Sequence, residues 1–600
     1  MYIKANQMKP TFKVCINAII ILFLCSGKLF SQYVTNVPDR SSISLNGKWN
    51  YIIDPLDAGS ESWIALYKDK KPTGKLDFYE YSFDQSPVMN VPGDFNSQLP
   101  ELKYYEGAVW YKKVFRYTKK SSGQVFLNFD GVNYKCRVYL NGEKIGEHEG
   151  GFNPFQFDVT KLLKNGENSL LVYTNNARSK DGVPSVSYDW LNYGGITRDV
   201  SLIEMPQTYI ADYFLQLKKG SKTTVGGWVK VAGKKLNQKI RVLIPEAKVN
   251  YTTSTNDSGF VALNFSSKLQ LWKPGSPKLY QVQIFAETDT VQENIGFRSI
   301  EVKGLDILLN GEPIFLKGVN IHEEIPQRQA RAYSESDARL LLGWAKELGC
   351  NFVRLAHYPH NENMVRVADE LGLMVWSEIP VYQSMSFGNP QTEAKIITMV
   401  DEMIGRDKNR ASIIIWSVAN ETSVSKDRNR VVMNAINECR KLDPARLVTI
   451  AMNNVKYDDA SVTISDSISK SLDLISINEY LGWYNPWGTK AGRKNWISGF
   501  NKPIVISEFG AEALYGNHGP SDVASSWSEE YQEQVYKDQV SMFKTMPELR
   551  GTCAWLLADY RSPKRMHQAF QNGWNRKGLL SDQGFRKKAW YVLANYYKLK

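Results

Sequence analysis

Six hundred residues exceed what one small hydrophobic core can organise, so the chain is expected to divide into several domains. A hydrophobic share of 43% and an aromatic share of 12% exclude an extended, disordered chain. The formal charge of +12 is not gathered into a compact basic-aromatic motif, so no nucleic-acid partner is expected, although a basic surface suits an anionic polysaccharide.

Lys4, Lys9 and Lys13 precede an apolar run from Val14 to Cys25, and the first acid is Asp39. That run is too short to cross a bilayer comfortably, which predicts an export signal over residues 1–31, cleaved near Ser31–Gln32, and a periplasmic or secreted product. No later run is long enough to span a bilayer, so no integral membrane segment is expected once the signal is removed. Cys136, Cys350, Cys439 and Cys553 remain, scattered through strand-like and helix-like patterns without a C-x-x-C. They are expected to be buried free thiols.

Residues 33–206 read as short strands and turns. Gln124–Phe129 alternates, Arg137–Leu140 runs into the turn Asn141-Gly142, and Ser169–Tyr173 follows another turn. This predicts an N-terminal jelly-roll β-sandwich, read as structural support rather than an independent sugar-binding module. Residues 207–303 are again β-rich and lack cysteine, which predicts an immunoglobulin-like β-sandwich acting as a spacer.

From residue 304 to 600 the rhythm changes to strand–helix alternation. Candidate strands are 314–320, 351–356, 373–379, 412–420, 447–452, 472–480, 503–510 and 552–559. Between them, Ser334–Leu348 places Ala338, Leu341, Leu342, Ala345 and Leu348 on one helical face, with Ser334 as N-cap and Gly349 where the helix must stop. Met364, Val367, Ala368 and Leu371 repeat the pattern before Gly372. Eight such units predict a C-terminal (β/α)8 TIM barrel.

The chemistry is carried by two of those strands. Ile413–Ala419 is a buried-type run ending in Asn420-Glu421, and Ile504–Ile506 leads through Ser507 to Glu508; no other stretch is read as matching. Catalytic groups of such barrels sit at the C-terminal ends of the strands, so both carboxylates are expected at one mouth. A glycosidic bond needs a proton donor on the leaving oxygen and a carboxylate facing C1. Glu421 is therefore assigned as acid/base and Glu508 as nucleophile, with Asn420 in reach of the sugar 2-OH. The charge on Glu508 should help to keep the proton on Glu421.

The motifs Asn192-Tyr193-Gly194-Gly195-Ile196-Thr197-Arg198, Lys317–Glu323, Arg354-Leu355-Ala356-His357-Tyr358-Pro359, Trp416–Glu421 and Ile506–Gly510 resemble glycoside hydrolase family 2, the family of β-glucuronidases and β-galactosidases. The resemblance spans nearly the whole mature chain. It implies the same three-domain order, the same two carboxylate roles, and allows a homo-oligomer. His322, His357 and Glu324 match family positions near the sugar, and Trp555 matches a platform under the ring. Asn575-Arg576-Lys577 is similar to the Asn-x-Lys motif with which β-glucuronidases hold a C6 carboxylate, and Tyr480 and Tyr484 lie in a glucuronidase-like segment. Glu479 and Gln571 depart from that pattern, each standing where a basic residue is common, and the basic loop Arg561, Lys564, Arg565 is a candidate substitute. The resemblance thus implies an exo-acting retaining β-glycosidase, foremost a β-glucuronidase acting on plant or algal poly- or oligosaccharides. β-Galactosidase and β-galacturonidase remain alternatives, and a non-catalytic carbohydrate-binding protein is the remotest one. His357 and His360 are spaced as a metal pair, but Pro359 intervenes and no third ligand accompanies them, so no metal or cofactor is expected.

Overall fold

The computed structural model describes residues 33–600 apart from 72, 78 and 121. The export signal expected over residues 1–31 lies outside the described residues. Among the described residues no helix is long and apolar enough to cross a membrane.

The N-terminal part is two antiparallel sheets. Six strands run in the order Val88–Val91, Gly47–Asp54, Ala108–Tyr117, Gly166–Asn175, Lys135–Leu140 and Glu143–Glu149, and four in the order Ser42–Ser44, Val200–Met205, Gln124–Phe129 and Phe155–Asp158. The two-residue period of a strand explains the packing. Leu170 and Val172 enter the core between the sheets, while Leu171 and Tyr173 enter a second cluster with Trp110 and Tyr139 on the opposite face. The next hundred residues form a second sandwich of three and four strands. In its strand Lys239–Ile244 the apolar Ile240, Val242 and Ile244 are buried and the intervening Lys239 and Arg241 are exposed.

Beyond it eight parallel strands close a barrel: β1 (Leu316–Ile321), β2 (Phe352–Leu355), β3 (Met374–Glu378), β4 (Ile413–Asn420), β5 (Leu447–Met452), β6 (Ile475–Asn478), β7 (Ile504–Glu508) and β8 (Leu549–Ala554). Every residue of β4 is buried, which is why that stretch reads as an unbroken apolar run. Helix α1 (Glu335–Glu347) begins in a capping box in which Ser334 and Asp337 satisfy each other's backbone N–H groups. Gly372 ends α2 (Glu362–Leu371) at φ 69°, a left-handed conformation that glycine adopts without steric cost.

Two expectations shift. Helices α3 (Pro390–Asp407), α4 (Lys426–Leu442), α5 (Glu529–Phe543) and α6 (Lys588–Leu599) follow β3, β4, β7 and β8, but no α-helix follows β5, where a 3-10 turn (Ser467–Ser471) stands instead, or β6. A small sheet of Val455–Tyr457, Ser461–Ile464 and Asn495–Ser498 fills the space beside β5 and β6. The last barrel strand also lies earlier than the expected 552–559. After Ala554 the regular ladder ends: Leu556 N–H donates to the Lys577 carbonyl at 3.2 Å, while Leu557 N–H still reaches that of Asn320 in β1 at 2.9 Å. The four expected free thiols, Cys136, Cys350, Cys439 and Cys553, are indeed unpaired and buried.

Candidate active site

A cavity of about 690 Å³ opens at the C-terminal mouth of the barrel, within the size range of small-molecule sites. Glu421 leaves the end of β4 and Glu508 is the last residue of β7, and both line it. Each carboxylate is fixed by what the neighbouring strands present. Asn478, ending β6, donates to Glu421 Oε1 at 3.2 Å, and Gln383, from the loop after β3, donates to Oε2 at 3.1 Å. Glu421 (φ 52°) and Gln383 (φ 49°) both sit in left-handed backbone, a costly state for such residues. Backbone bonds hold them there: Glu421 N–H donates to Ala451 O and Gln383 N–H to Asn420 O, each at 2.8 Å.

Glu508 is held by charge. Arg354 Nη1 donates to its Oε1 and the Tyr480 hydroxyl to its Oε2, both at 2.7 Å, and His357 Nε2 lies 3.9 Å away. Burial pushes the Glu508 carboxyl above its usual range, against the downward pull of Arg354, His357 and the Tyr480 hydroxyl; nearby Glu421 adds to the rise. The same guanidinium forms a bidentate pair with Glu378 at 3.0 and 2.9 Å and donates to Asn420 Oδ1 at 2.7 Å. Burial would raise Glu378 as well, but Arg354 and His357 outweigh it and hold that carboxyl down at about 2.

Glu378 corrects the expectation that only two buried runs end in an acid. Met374–Glu378 is a third, but its carboxylate is taken up by Arg354, His357 and the Trp376 indole, and it does not line the cavity. Asn420 is buried with its Oδ1 engaged by Arg354 and Asn478, and its Nδ2 donor has no partner among the described residues. Trp555 and His357 line the cavity with their rings stacked at 4.8 Å.

The cavity wall also includes Tyr484, Arg565, Asn575 and Lys577. Lys577 Nζ donates to the Tyr484 hydroxyl at 2.8 Å and to Glu512 Oε1 at 3.0 Å. Burial alone would lower the Lys577 pKa, yet Glu512 and Tyr484 raise it above the ordinary lysine value. Arg565 Nη1 donates to the same Tyr484 hydroxyl at 2.9 Å and lies 3.5 Å from Glu512, while its Nε and Nη2 grip Asp189 at 3.1 and 2.6 Å. Lys564 also lines this end. Asn575 donates to the Tyr560 hydroxyl at 3.1 Å.

Other expected site residues lie elsewhere. His322 Nδ1 meets the Tyr358 hydroxyl at 3.2 Å and its ring stacks on Tyr560 at 4.1 Å. Glu324 accepts the backbone N–H of Arg561 at 3.0 Å, and burial pushes its carboxyl up to about 7. Neither lines the cavity; both border a small void on which Tyr560 also opens, because the pairing of Glu324–Ile325 with Ala330–Arg331 folds the segment after β1 away from the mouth. Arg561 is turned from the cavity as well, over the ring of Trp574. Glu479 is fully buried, its Oε2 accepting from Leu481 N–H at 2.8 Å and Gln539 Nε2 at 3.2 Å, and burial raises it to about 8. Gln571 donates to Glu512 Oε2 at 3.0 Å.

The sequence reading missed Asp189, Gln383, Asn478 and Glu512 as site residues. Asp189 comes from the first sandwich, where Tyr188 and Trp190 join Tyr358, Tyr382 and Trp555 in one aromatic cluster. The nearby motif residue Arg198 anchors that seam, with Nη2 on both Glu323 oxygens at 3.0 Å and on Pro359 O at 2.7 Å. Its proximity in sequence was the one available pointer to Asp189. Among the described residues no group of three or more His, Cys, Asp and Glu side chains is arranged to hold a metal.

Three models of glycosyl hydrolases family 2 match the chain in succession: the sugar binding domain over residues 43–206, the central domain over 208–298 and the TIM barrel domain over 300–598. The β-glucuronidase of Rattus norvegicus is 29% identical across 98% of this chain and 96% of its own length. Among solved structures, the β-glucuronidase of an uncultured Clostridium sp. superposes with a TM-score of 0.78 at 27% identity, covering 94% of this chain and 98% of that one. The Bifidobacterium dentium β-glucuronidase in complex with coumarin-3-O-glucuronide gives 0.78 at 25%, covering 93% and 97%.

Proposed function

The chain belongs to glycoside hydrolase family 2, and from that premise we propose an exo-acting, retaining β-glucuronidase that releases terminal β-D-glucuronic acid from poly- or oligosaccharides. Glu508 Oε attacks C1 while Glu421 gives its proton to the leaving oxygen, so the C1–O bond breaks as the glycosyl–Glu508 ester forms. Glu421, now ionised, takes a proton from water; the hydroxide oxygen bonds to C1 and the ester electrons return to Glu508. A carboxylate separation of ~5–5.5 Å is what this double displacement requires. Arg354 and Tyr480 steady the nucleophile, the spare Nδ2 donor of Asn420 suits the 2-OH, and Trp555 is the platform under the ring. The leader-like residues 1–31 support action outside the cytoplasm.

The observation that carries the uronic acid reading is the pair of cations, Lys577 and Arg565, sharing one tyrosine hydroxyl in the cavity wall beside Asn575. A planar carboxylate is well matched by a guanidinium and an ammonium side by side. A second reading has its own support: each cation is already paired, Lys577 with Glu512 and Arg565 with Asp189, which would also suit a neutral β-galactoside. A panel of aryl β-glycosides tests both. Turnover of the glucuronide is expected to lead; turnover of the galactoside alone overturns the glucuronide assignment.

A further inference from the structure

Glu421 has to work twice, as an acid and then as a base, and both tasks need its carboxyl to face the same point beside C1. A terminal carboxyl turns easily about its last bond, so its neighbours must stop it. Asn478 does part of this from β6. It donates to Oε1 at 3.2 Å and is itself fixed by Asn420 Oδ1 at 3.1 Å and the Ser507 hydroxyl at 2.7 Å. The other oxygen, Oε2, is held from a loop, by Gln383 Nε2 at 3.1 Å.

That loop is built to deliver the amide. Val381 O accepts Asn420 N–H and Asn420 O accepts Gln383 N–H, each at 2.8 Å, so the chain after β3 is zipped along the end of β4. Tyr382 pairs with Asn420 as a parallel bridge. Gln383 takes left-handed backbone (φ 49°) to complete this pairing, a strained state that persists only where its surroundings enforce it. Its amide also donates to the Tyr382 hydroxyl at 3.1 Å. An ionised carboxylate only accepts, so the NH2 end of the amide must face Glu421. Tyr382, Tyr457 and Tyr480 share the cavity and feel the Glu421 charge. Burial first, and the nearby carboxylates second, hold their hydroxyls above the ordinary phenol range. They keep their protons, and the transfer is left to Glu421.

We infer that Gln383 is the positioning residue of proton transfer: its amide locks the Glu421 carboxyl in one orientation for both halves of the cycle. The inference rests on the proposed role of Glu421. A dinitrophenyl group leaves without a proton, so its kcat/KM reports attack by Glu508 alone, whereas a sugar leaving group needs the proton. The aryl panel first identifies the glycone. Gln383→Met keeps the length and removes the donor; Gln383→Asn suits left-handed backbone but draws the amide back by one carbon. In both variants kcat/KM for the glycone β-linked to a second sugar is expected to fall at least about ten-fold, while that for the dinitrophenyl glycoside stays within about two-fold. kcat for the dinitrophenyl glycoside should fall together with KM, because water then attacks the glycosyl–Glu508 ester without an oriented base. A merely structural role would lower every one of these constants. Equal losses on the two leaving groups, or no loss on the disaccharide, in variants that melt as the parent does, overturn the inference. Glu421→Gln in the same assays separates the two failures. If it shows no split between leaving groups, the role of Glu421 fails; if it does and the Gln383 variants do not, Gln383 does not position it.

Discussion

Glu508 and Glu421 share one cavity but not one environment. Glu508 meets a guanidinium, a phenol hydroxyl and, at 3.9 Å, an imidazole. Among the described residues the Glu421 carboxylate accepts hydrogen bonds from the amides of Gln383 and Asn478. Cationic partners favour a carboxylate, which offsets part of the burial that raises the Glu508 pKa. The difference supports the proposed roles, in which the acid with the charged clamp attacks and the acid with neutral neighbours carries the proton. It also shows how one arginine serves two carboxyls. Arg354 is satisfied by Glu378 on one side, so its remaining edge holds Glu508 in place without neutralising it outright.

Breaking the clamped side should cost most. Glu508→Gln is expected to lower kcat on any glycoside by more than about 10⁴-fold, beyond the usual 10²–10⁴-fold contribution of a proton-transfer residue. Glu421→Gln should fall within that smaller range on sugar leaving groups and lose less on an aryl glycoside whose leaving group departs without a proton. Steady-state rates across a series of leaving groups check both. If the two variants lose equally whatever the leaving group, the asymmetry described above has no catalytic meaning.

The cations of the cavity wall sharpen the contrast between catalytic and recognition charge. Arg565→Ala removes a charge-assisted contact of ~1.5–3 kcal/mol, so kcat/KM for the glucuronide should fall about 10–100-fold while that for the galactoside changes far less. Equal losses on the two would place Arg565 in a structural role with Asp189.

Legibility in the sequence followed the same line between local and long-range order. The barrel was legible from its strand–helix alternation, and Glu421 and Glu508 because a carboxylate ends an apolar run, whereas the eighth strand, Leu549–Ala554 with Arg550 and Thr552 within it, was placed too late. That signal does not report which way the acid turns: Glu378 gives it equally, yet is spent on Arg354. Asp189 lies on a loop of a different domain, with no periodicity to mark it, and only the docking of that domain brings it to Arg565. His322 and Glu324 border a small void with Tyr560 in place of the cavity, beside a two-stranded pairing too brief to leave a pattern in the sequence.

A smaller effect tests the clamp itself. Tyr480→Phe deletes a hydrogen bond that lowers the Glu508 pKa, so that pKa should rise. Glu508 must be ionised to attack, and the acid limb of the kcat/KM profile is expected to move to higher pH. A limb that stays in place would show that the Tyr480 hydroxyl does not help to set the ionisation.

The mildest test concerns a carboxyl with neither cation nor role. Glu479 follows β6 as Glu421 follows β4, but it is fully buried among neutral groups, and its Oε1 has no partner among the described residues. Burial raises its pKa from 4.5 to about 8. In the folded protein it stays protonated up to that pH, whereas in the unfolded chain it ionises above 4.5. The stability it contributes is therefore complete below pH 4.5 and is lost progressively as pH rises towards 8. Gln is close in shape to the neutral acid, keeps an acceptor for Leu481 N–H and Gln539, and does not ionise. Glu479→Gln should thus match the parent near pH 4.5 and exceed it by on the order of 1–3 kcal/mol at pH 8. Melting temperatures of the two proteins across that interval check it: curves that stay parallel would mean that Glu479 is ionised in the folded state, and that a barrel carboxyl here tolerates burial without the cation that Glu508 has.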